Sequence, residues 1–426
     1  MKKYFKQAIA ALRTQPLVCW VSIAGTALAI FMIMTAVMME EIQIAPYAPE
    51  SNRDRWLVQN AASIRNDNWD EGSEGNGGMG YNFIRKVFYE METPEAVTAT
   101  DYSSEGLLSD PSGTAFGAKV LGVDNGFWKV MDFTFIDGKP FDKGEFEAGT
   151  PLAVLSESIA RRLFGTTEAA GREFSINHLP YRVKGVVRDV STLANYAYSE
   201  VWVPYTSTNS ASFSWSEYMG CLHAIILPKS KADIPKVREE YKKRMAKFEE
   251  EAKVNGWSFL QRERPYDQET AVNTPWANMG PDMDSVRRRR YFTWAILLLV
   301  PAVNLSSMTH SRLSRRREEI GVKRAFGARR SSILTDLFVE NLIITLIAGI
   351  IGLILSVLFA TFGAEYVFSA QSSTGVVTNV SPAMLLSWKT FGLAMLFCLI
   401  LNILSVSLPA WQAARTNVVN ALAGKK

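Results

Sequence analysis

Cysteine is scarce in this sequence, and the positions of the few cysteines exclude a disulfide-stabilised fold. The 426 residues include only three. Cys19 and Cys398 lie within long apolar runs, and only Cys221 lies in the more polar middle of the chain. Since a disulfide framework needs several cysteines in the same soluble region, no intramolecular framework is available to this protein.

Motifs for several catalytic chemistries are also missing. There is no G-x-x-x-x-G-K-[ST] phosphate loop, so this chain is not expected to hydrolyse ATP itself. There is no H-E-x-x-H, and the histidines have no zinc spacing, so we expect no metal site. Cys221 and His223 would share one face of a strand, which a half-buried strand explains better than a nucleophile. We therefore expect no catalytic residues. The histidines are His178, His223 and His310.

Strong net charge is absent as well. The formal net charge is only +4, and the basic residues cluster beside apolar runs. This pattern favours membrane-topology signals over nucleic-acid binding. Charged residues make up 21% of the chain and mean hydropathy is +0.01, so the apolar content is concentrated in blocks. The sequence therefore predicts membrane spans combined with a sizeable soluble domain.

The first apolar block follows a short basic segment. Residues 1–16 place Phe5, Ile9 and Leu12 on one face, which predicts an interfacial helix on the cytoplasmic surface. Residues 17–41 are long enough for a first transmembrane span. A cleaved signal peptide is the competing interpretation, but the run is long and no clear A-x-A site closes it. Basic residues before this span and acids after it predict a cytoplasmic N-terminus.

Residues 42–286 predict a large extracytoplasmic α/β domain, within an α+β fold class for the whole chain. We interpret 63–80 as a polar, glycine-rich loop. Two strand–helix–strand patterns flank a mainly β insertion at about 105–215, so we expect two βαβ-like units. The first pattern runs through the segments 55–60, 81–92 and 95–102, and the second through 221–228, 233–253 and 257–264.

The remaining chain predicts three further spans, and hence four transmembrane helices in total. Arg287 to Arg290 lie on the predicted outer side, against the positive-inside rule. They could grip outer-leaflet phosphates or acids of the domain. The predicted segments are span two at 287–309, a cytoplasmic coupling segment at 310–333, span three at 334–362, an outer loop at 363–388, span four at 389–410 and a cytoplasmic tail at 411–426.

Two features of the predicted spans suggest specific roles. Glu340 lies one to two turns inside span three, where it is a functional candidate, or it snorkels or pairs with the basic loop. Asn304, in mid-span two, suggests an interhelical hydrogen bond. Small residues at a spacing of four predict a ridge that lets another helix approach closely. The ridge residues are Ala348, Gly352, Ser356 and Ala360.

The segment between spans two and three carries the most specific pattern. Its acids precede its bases, as a helix dipole favours, and Gly327 permits a left-handed C-cap, with Ser331 or Ser332 able to cap the next helix. The predicted coupling residues are Arg316, Arg317, Glu318, Glu319, Ile320, Gly321, Val322, Lys323, Arg324, Ala325, Phe326, Gly327 and Ala328.

This stretch resembles the R-x-x-E-I-G-[IV]-[RK]-[RK]-A-x-G-A loop of MacB/FtsX-type ABC transporter permeases. The resemblance extends to the outer domain and to the C-terminal segment that includes Pro409, Arg415 and Leu422. It implies that the basic helix docks on an ATPase, that ATP and Mg²⁺ bind to that separate partner, and that this chain binds no cofactor. It also implies a homodimer or a pair with a related permease.

The leading hypothesis is therefore a permease subunit in the cytoplasmic (inner) membrane, with both termini inside. Motion of the ATPase would move the outer domain to export or release a peptide, lipoprotein or drug, with a periplasmic adaptor, lipoprotein or hydrolase as a further partner beside membrane lipids. The alternative is a regulatory scaffold that mechanically activates a cell-envelope enzyme or signalling partner without transport. A membrane-anchored enzyme is the third hypothesis.

Overall fold

The computed structural model describes most of the chain, which divides into two compact units. The described residues are 16–110, 113–216, 218–315, 322 and 326–363, with single helical residues and short helical runs between 392 and 407. Among the described residues, the outer unit comprises Gln43–Met283, and the membrane unit comprises the residues before Gln43 and after Met283. Most of the predicted interfacial helix and outer loop, and the whole cytoplasmic tail, lie outside the described residues.

Strands in the described residues all belong to the outer unit. They are β1 (Leu57–Gln59), β2 (Ala62–Asn66), β3 (Gly75–Met79), β4 (Ala96–Thr100), β5 (Ser104–Ser109), β6 (Ala115–Val123), β7 (Phe135–Gly138), β8 (Leu152–Ser156), β9 (Glu173–Ile176), β10 (Leu179–Val187), β11 (Val201–Pro204), β12 (Met219–Gly220), β13 (His223–Leu227) and β14 (Trp257–Phe259).

The helices occur in both units. They are α1 (Pro16–Ile44), α2 (Tyr81–Phe83), which continues as a π-helical turn (Ile84–Tyr89), α3 (Phe127–Val130), α4 (Lys143–Glu147), α5 (Glu157–Phe164), α6 (Ile234–Lys253), α7 (Gln268–Asn273), α8 (Met283–Arg315) and α9 (Arg330–Leu358), which continues as a second π-helical turn (Phe359–Gly363).

Ten strands of the outer unit form one continuous sheet. Their order is β1-β13-β4-β6-β11-β8-β10-β9-β5, and β7 pairs with β10. Because β5 also pairs with β6, the six strands from β6 to β5 close into a barrel. Closure removes exposed strand edges, which would otherwise pair with other chains. The insertion predicted at 105–215 is indeed mainly β, and its strands extend the sheet of the flanking segments.

Helix α6 shows how sequence periodicity directs packing in this unit. It is mostly charged, yet Val237, Tyr241, Met245, Phe248 and Ala252 are buried and recur every three or four residues. This spacing places them on one face of an α-helix. That face packs into a core with many aromatic side chains, including contacts of the phenyl ring of Phe248 with Phe83 and Phe259.

The glycine-rich stretch at 63–80 is not a simple loop, so that prediction is wrong. It forms a hairpin of β2 and β3, which belongs to a second sheet of order β12-β3-β2-β14. A Cβ atom at Gly75 would lie 2.8 Å from the indole of Trp215, and one at Gly78 would lie 2.9 Å from the backbone of Cys221. Glycine is therefore used here for close packing.

The predicted strands and helices of the two βαβ-like units are present, but their pairing differs. Strand β13 lies between β1 and β4 and is antiparallel to both. Strand β14 pairs with β2 in the second sheet, so the second predicted unit is wrong. Local periodicity indicates that a segment is a strand, whereas the choice of partner depends on contacts across the whole unit.

Two helices of the membrane unit are long and apolar enough to cross a membrane, by length and composition. They contain Ile23–Ile44 and Asn341–Phe362, each 22 residues. Helix α8, 33 residues long, includes the second predicted span. Within the fourth predicted span, the structure describes only short helical runs. Two candidate spans are therefore observed, and a total of four stays a prediction.

Candidate functional site

The predicted coupling segment lies between α8 and α9, and the structure describes part of it. Helix α8 ends at Arg315, and α9 begins at Arg330. Val322 is helical, and Phe326, Gly327 and Ala328 are also described. The other predicted coupling residues lie outside the described residues. They are Arg316, Arg317, Glu318, Glu319, Ile320, Gly321, Lys323, Arg324 and Ala325.

The described part of the coupling segment is a turn that carries an exposed aromatic side chain. The amide of Phe326 donates a hydrogen bond to the carbonyl of Val322 at 3.0 Å, the spacing of a last helical turn. Phe326 is 88% exposed and Val322 is 44% exposed. Gly327 has φ +86°, the left-handed conformation expected of a glycine that ends a helix. The turn thus presents an apolar surface with no covering residue in the described part of the chain.

The start of α9 differs from the sequence-based expectation. Arg329 is the extended N-cap residue, no side chain caps the helix, and the amide of Ser332 donates to the carbonyl of Arg329 at 3.1 Å. Ser331 and Ser332 lie within the first turn, so the prediction that one of them caps α9 is wrong. The basic segment consequently leads into α9 almost directly after Gly327.

The small-residue ridge of α9 is buried, and Ala348 and Gly352 pack against α1. Ala348 and Ser356 are fully buried, and Ala360 is 1% exposed. A Cβ atom at Gly352 would lie 2.8 Å from the carbonyl oxygen of Ala27 and 3.0 Å from Ile30. Glycine therefore lets the two helix backbones approach closely. The helix that packs on this ridge is therefore α1 of the same chain.

For the two polar candidates in the predicted spans, Asn304 and Glu340, the structure describes only the backbone. Asn304 lies in α8 and Glu340 lies in α9. Their side chains fall outside the described residues, so the roles proposed for them stay predictions.

Arginines at the start of α8 contact nearby polar groups of the membrane unit. The Nε of Arg290 lies 3.2 Å from a carboxylate oxygen of Glu40, near the end of α1. Arg287 lies 3.4 Å from Asp284, and Arg288 donates to the Ser285 hydroxyl at 2.9 Å. The acids that Arg287 and Arg290 contact lie in α8 and α1, not in the outer unit, and contact with outer-leaflet phosphates stays a prediction.

A buried ion pair follows α1 directly in the chain. The Nε of Arg53 lies 2.5 Å from Glu50 Oε2, and both side chains are fully buried. The other carboxylate oxygen of Glu50 accepts from the amides of Tyr196 and Ala197 at 2.7 and 2.9 Å. Buried charges are costly unless they are paired and hydrogen-bonded, as these two are.

Further hydrogen bonds join residues 43–56, which we call the entry clamp, to the rest of the outer unit. The Tyr47 hydroxyl donates to the carbonyl of Leu193 at 2.5 Å, and burial raises the pKa of this phenol. Gln268 donates to the carbonyl of Gln43 and accepts from the indole of Trp56, both at 2.8 Å. The chain that leaves α1 is therefore held by the outer unit within a few residues.

The chain returning toward α8 is held in a similar way. The carbonyl of Ala277 accepts from the Ser63 hydroxyl at 2.9 Å, from Arg262 at 2.8 Å and from Arg264. We call this group the exit clamp. Sequence analysis missed both clamps. The i, i+3 spacing of Glu50 and Arg53 was the available signal, but it is also common on exposed helices.

Comparison with known proteins identifies the family once this architecture is in view. A model of the MacB-like periplasmic core domain matches residues 20–244, which is more than half of the chain. A model of the FtsX-like permease C-terminal region matches residues 291–418. The chain belongs to the MacB/FtsX family of ABC transporter permeases. It is thus a membrane permease component with an α/β extracytoplasmic domain of the MacB type.

Curated relatives agree with this family. The uncharacterized ABC transporter permease YknZ of Bacillus subtilis is 24% identical over 72% of this chain and 70% of its own. The macrolide export ATP-binding/permease protein MacB of Burkholderia cenocepacia is 25% identical over 78% of this chain and 45% of its own. The permease therefore spans less than half of the macrolide-export protein that it matches.

Solved structures show a weaker likeness. The periplasmic region of MacB from Actinobacillus actinomycetemcomitans is 18% identical, covering 51% of this chain and 92% of its own, with a TM-score of 0.34. The extracellular domain of YknZ from Gram-positive bacteria is also 18% identical, covering 47% of this chain and 100% of its own, with a TM-score of 0.32.

Proposed function

We propose that this permease transmits ATP-driven motion of a separate ATPase subunit to its outer unit, and so exports or releases a substrate. The proposal includes four spans with cytoplasmic termini and a homodimer or a pair with a related permease. ATP and Mg²⁺ would be bound by the ATPase. A peptide, a lipoprotein or a drug is the proposed cargo, and the words "macrolide export" in the names of several relatives support a drug.

The observation that carries the proposal is the exposed turn before α9. Phe326 is a large apolar side chain with 88% of its surface exposed, on a segment rich in arginine. An exposed aromatic residue flanked by cations is typical of an anchor at a protein interface. The same residue lies within the loop that resembles the ATPase-docking segment of the family.

The connection from α1 to the outer unit supports the mechanical part of the proposal. Helix α1 runs without interruption from Pro16 to Ile44, and the entry clamp follows at once. A hydrogen-bonded helix is stiff along its axis, and a segment held by a buried ion pair yields little. Because α1 and the entry clamp are continuous in the chain, we propose that movement of α1 is one route by which the outer unit is displaced.

A pull-down of the intact permease from its native membrane tests the coupling. We expect an ATP-binding protein to co-purify with the wild type and to be reduced at least tenfold by Phe326→Asp, because a charge replaces the apolar anchor. Phe213→Asp is the matched control, since Phe213 is also exposed, at 51%, but lies in the outer unit. Absence of any ATP-binding protein, or equal recovery with Phe326→Asp, would contradict the proposal.

The proteins that bind the outer unit separate transport from the regulatory alternative. Co-purification of an export adaptor or a lipoprotein supports transport. Co-purification of a cell-envelope hydrolase or a signalling protein, with no movement of substrate in reconstituted vesicles, supports a scaffold that activates its partner mechanically.

A further inference from the structure

The outer unit contains a cleft that the proposed coupling function does not use. Its volume is about 420 Å³, within the range of small-molecule sites. Tyr81, Met91 and Phe146 supply apolar surface, and the phenol of Tyr89 lies deeper. Aromatic walls around a cavity of this size suit a ligand with a compact apolar body.

One side of the cleft is formed by α2 and its π-helical turn. Tyr81, Arg85 and Tyr89 are spaced four residues apart, and all three line the cleft. π-Helical turns are rare and occur frequently at functional sites. Residues four apart lie on one face of a helix, so a guanidinium and two phenols share a single wall.

The deepest polar group of the cleft has no free bonding capacity. Asp124 accepts from the Thr98 hydroxyl at 2.7 Å and from the Phe127 amide at 2.9 Å through Oδ1. Its Oδ2 accepts from the Ala99 amide at 2.7 Å and from the Tyr89 hydroxyl at 2.5 Å. A carboxylate offers about four acceptor positions, so a cationic ligand finds none here.

The other acids of the cleft are already paired. Glu90 lies 3.1 Å from Arg244, and Glu95 lies 2.7 Å from Arg55. Glu147 lies 3.7 Å from Lys143, which also lines the cleft. Each of these carboxylates has a cation beside it, so the acids leave little unbalanced negative charge.

Arg85 is the exception among the charged residues of the cleft. It is exposed, and within the described ranges of the chain its side chain forms no ion pair and no hydrogen bond. A guanidinium presents a planar set of donors that matches a carboxylate in two-point geometry.

We propose that this cleft binds an anionic amphiphile, with its aromatic or aliphatic body between Tyr81 and Phe146 and its carboxylate on Arg85. The same chemistry serves a transported substrate or an effector. This binding does not depend on the ATPase partner, so it can succeed or fail separately from the coupling proposal.

Three probes with the same naphthyl body and similar size test the charge preference. They are 2-naphthoate, 2-naphthamide and 2-naphthylmethylammonium, titrated calorimetrically into the full-length permease in nanodiscs of zwitterionic lipid. We expect the naphthoate to bind at least tenfold more tightly than either of the others. Tighter binding of the ammonium probe, equal binding of all three, or no binding at millimolar concentration would overturn the proposal.

Variants of Arg85 test whether the preference for an anionic probe arises in the cleft. We expect Arg85→Gln to lower naphthoate affinity at least tenfold and to leave naphthamide affinity unchanged, and Arg85→Lys to restore part of the loss. Arg188→Gln removes another exposed arginine of the outer unit and should bind as the wild type does. Unchanged naphthoate affinity in Arg85→Gln would overturn the assignment. Unchanged naphthamide binding would show that the variant is folded. Partitioning of naphthoate into lipid adds the same heat signal for every variant, so it does not affect the comparison.

Discussion

The outer unit and the membrane unit differ in the charged and small side chains that they bury. The outer unit encloses several charged side chains within an aromatic core, and Glu50, Arg53 and Asp124 each have hydrogen-bond partners there. The membrane unit instead brings helices together through small residues such as Ala27 and Ala348, and exposes large apolar ones such as Phe292 and Ile354.

The difference follows from the surroundings of each unit. In water, the free energy gained by burying apolar surface is large enough to offset the desolvation cost of a few paired charges. In lipid, helices gain no hydrophobic advantage from association, so close backbone packing must hold them together. The outer unit should therefore be most sensitive to the loss of a polar partner, and the membrane unit to added volume.

Removal of one member of the buried ion pair should have the largest effect. Arg53→Met leaves Glu50 buried without a cation, so we expect a loss of about 3–5 kcal/mol in outer-unit stability. Hydrogen exchange of the full chain in detergent, followed by mass spectrometry of peptides within 43–283, measures the loss.

Two further variants sharpen this prediction. The exposed pair of Arg161 and Glu157, at 2.9 Å, is the control, and Arg161→Met should cost less than about 1 kcal/mol. The double variant Glu50→Leu with Arg53→Met should recover part of the loss, because no unpaired charge remains. Equal effects of Arg53→Met and Arg161→Met would break the comparison.

Added volume at the α1–α9 contact should have the next largest effect. In Gly352→Val the new side chain meets the carbonyl of Ala27, a backbone atom that cannot move aside. We expect a loss of about 1–3 kcal/mol, measured as faster hydrogen exchange in α1 and α9 with no change in the outer unit. Val357→Ile, at a 41% exposed position of α9, adds a methylene as the control and should change little. Unaltered exchange in Gly352→Val would count against backbone packing.

The stability of the outer unit should depend on pH, because burial shifts the pKa values of Asp101 and His223 in opposite directions. Burial raises the pKa of Asp101 from 3.8 to about 6, so its contribution to stability is present at low pH and is lost as pH rises through 6. Burial lowers the pKa of His223 from 6.5 to about 4, so its contribution is present above 6.5 and is lost as pH falls through 4.

Single variants should separate the contributions of Asp101 and His223 to the change of stability with pH. Relative to the wild type, Asp101→Asn should make the slope of outer-unit stability against pH more positive between about 4 and 6, and His223→Gln should make it more negative between about 4 and 6.5. Each slope is at most about 1.4 kcal/mol per pH unit, because one proton is involved. Urea unfolding at several pH values, followed by tryptophan fluorescence, provides the measurement. A change of slope in the same direction in both variants would contradict the assignment.

Loss of the ion pair between α8 and α1 should have the smallest effect. The Arg290 and Glu40 side chains are 19% and 40% exposed, so solvent weakens their attraction. Arg290→Gln should cost less than about 1 kcal/mol by hydrogen exchange of α1, and Arg288→Gln serves as the control. A loss as large as that of Arg53→Met would show that this contact behaves like the outer-unit core.

The sequence predicted elements well where the signal is local. The apolar runs of α1 and α9, the amphipathic face of α6 and the strands of the insertion all follow from residue periodicity over a few turns or one strand. The MacB/FtsX family assignment, which rested on the coupling pattern around Glu319 to Ala328, is confirmed by the family models. The roles of the individual coupling residues stay predictions.

Pairing and burial were not predictable in the same way. Nothing near β13 in the chain indicates that it separates β1 from β4, because that order depends on contacts between strands more than 100 residues apart. The glycine-rich hairpin was missed for the same reason, since Trp215 packs on it from a distant segment.

By itself, the sequence determined which segments are apolar and the type of most helices and strands, because apolar periodicity and charge act locally. Only the tertiary structure decided that β5 meets β6 to close a barrel and that Glu50 and Arg53 are buried together. It also decided that Arg85 lines a cleft whose acids are paired with other cations or hydrogen-bonded. These outcomes depend on which distant surfaces exclude water from one another, and that is a property of the folded chain as a whole.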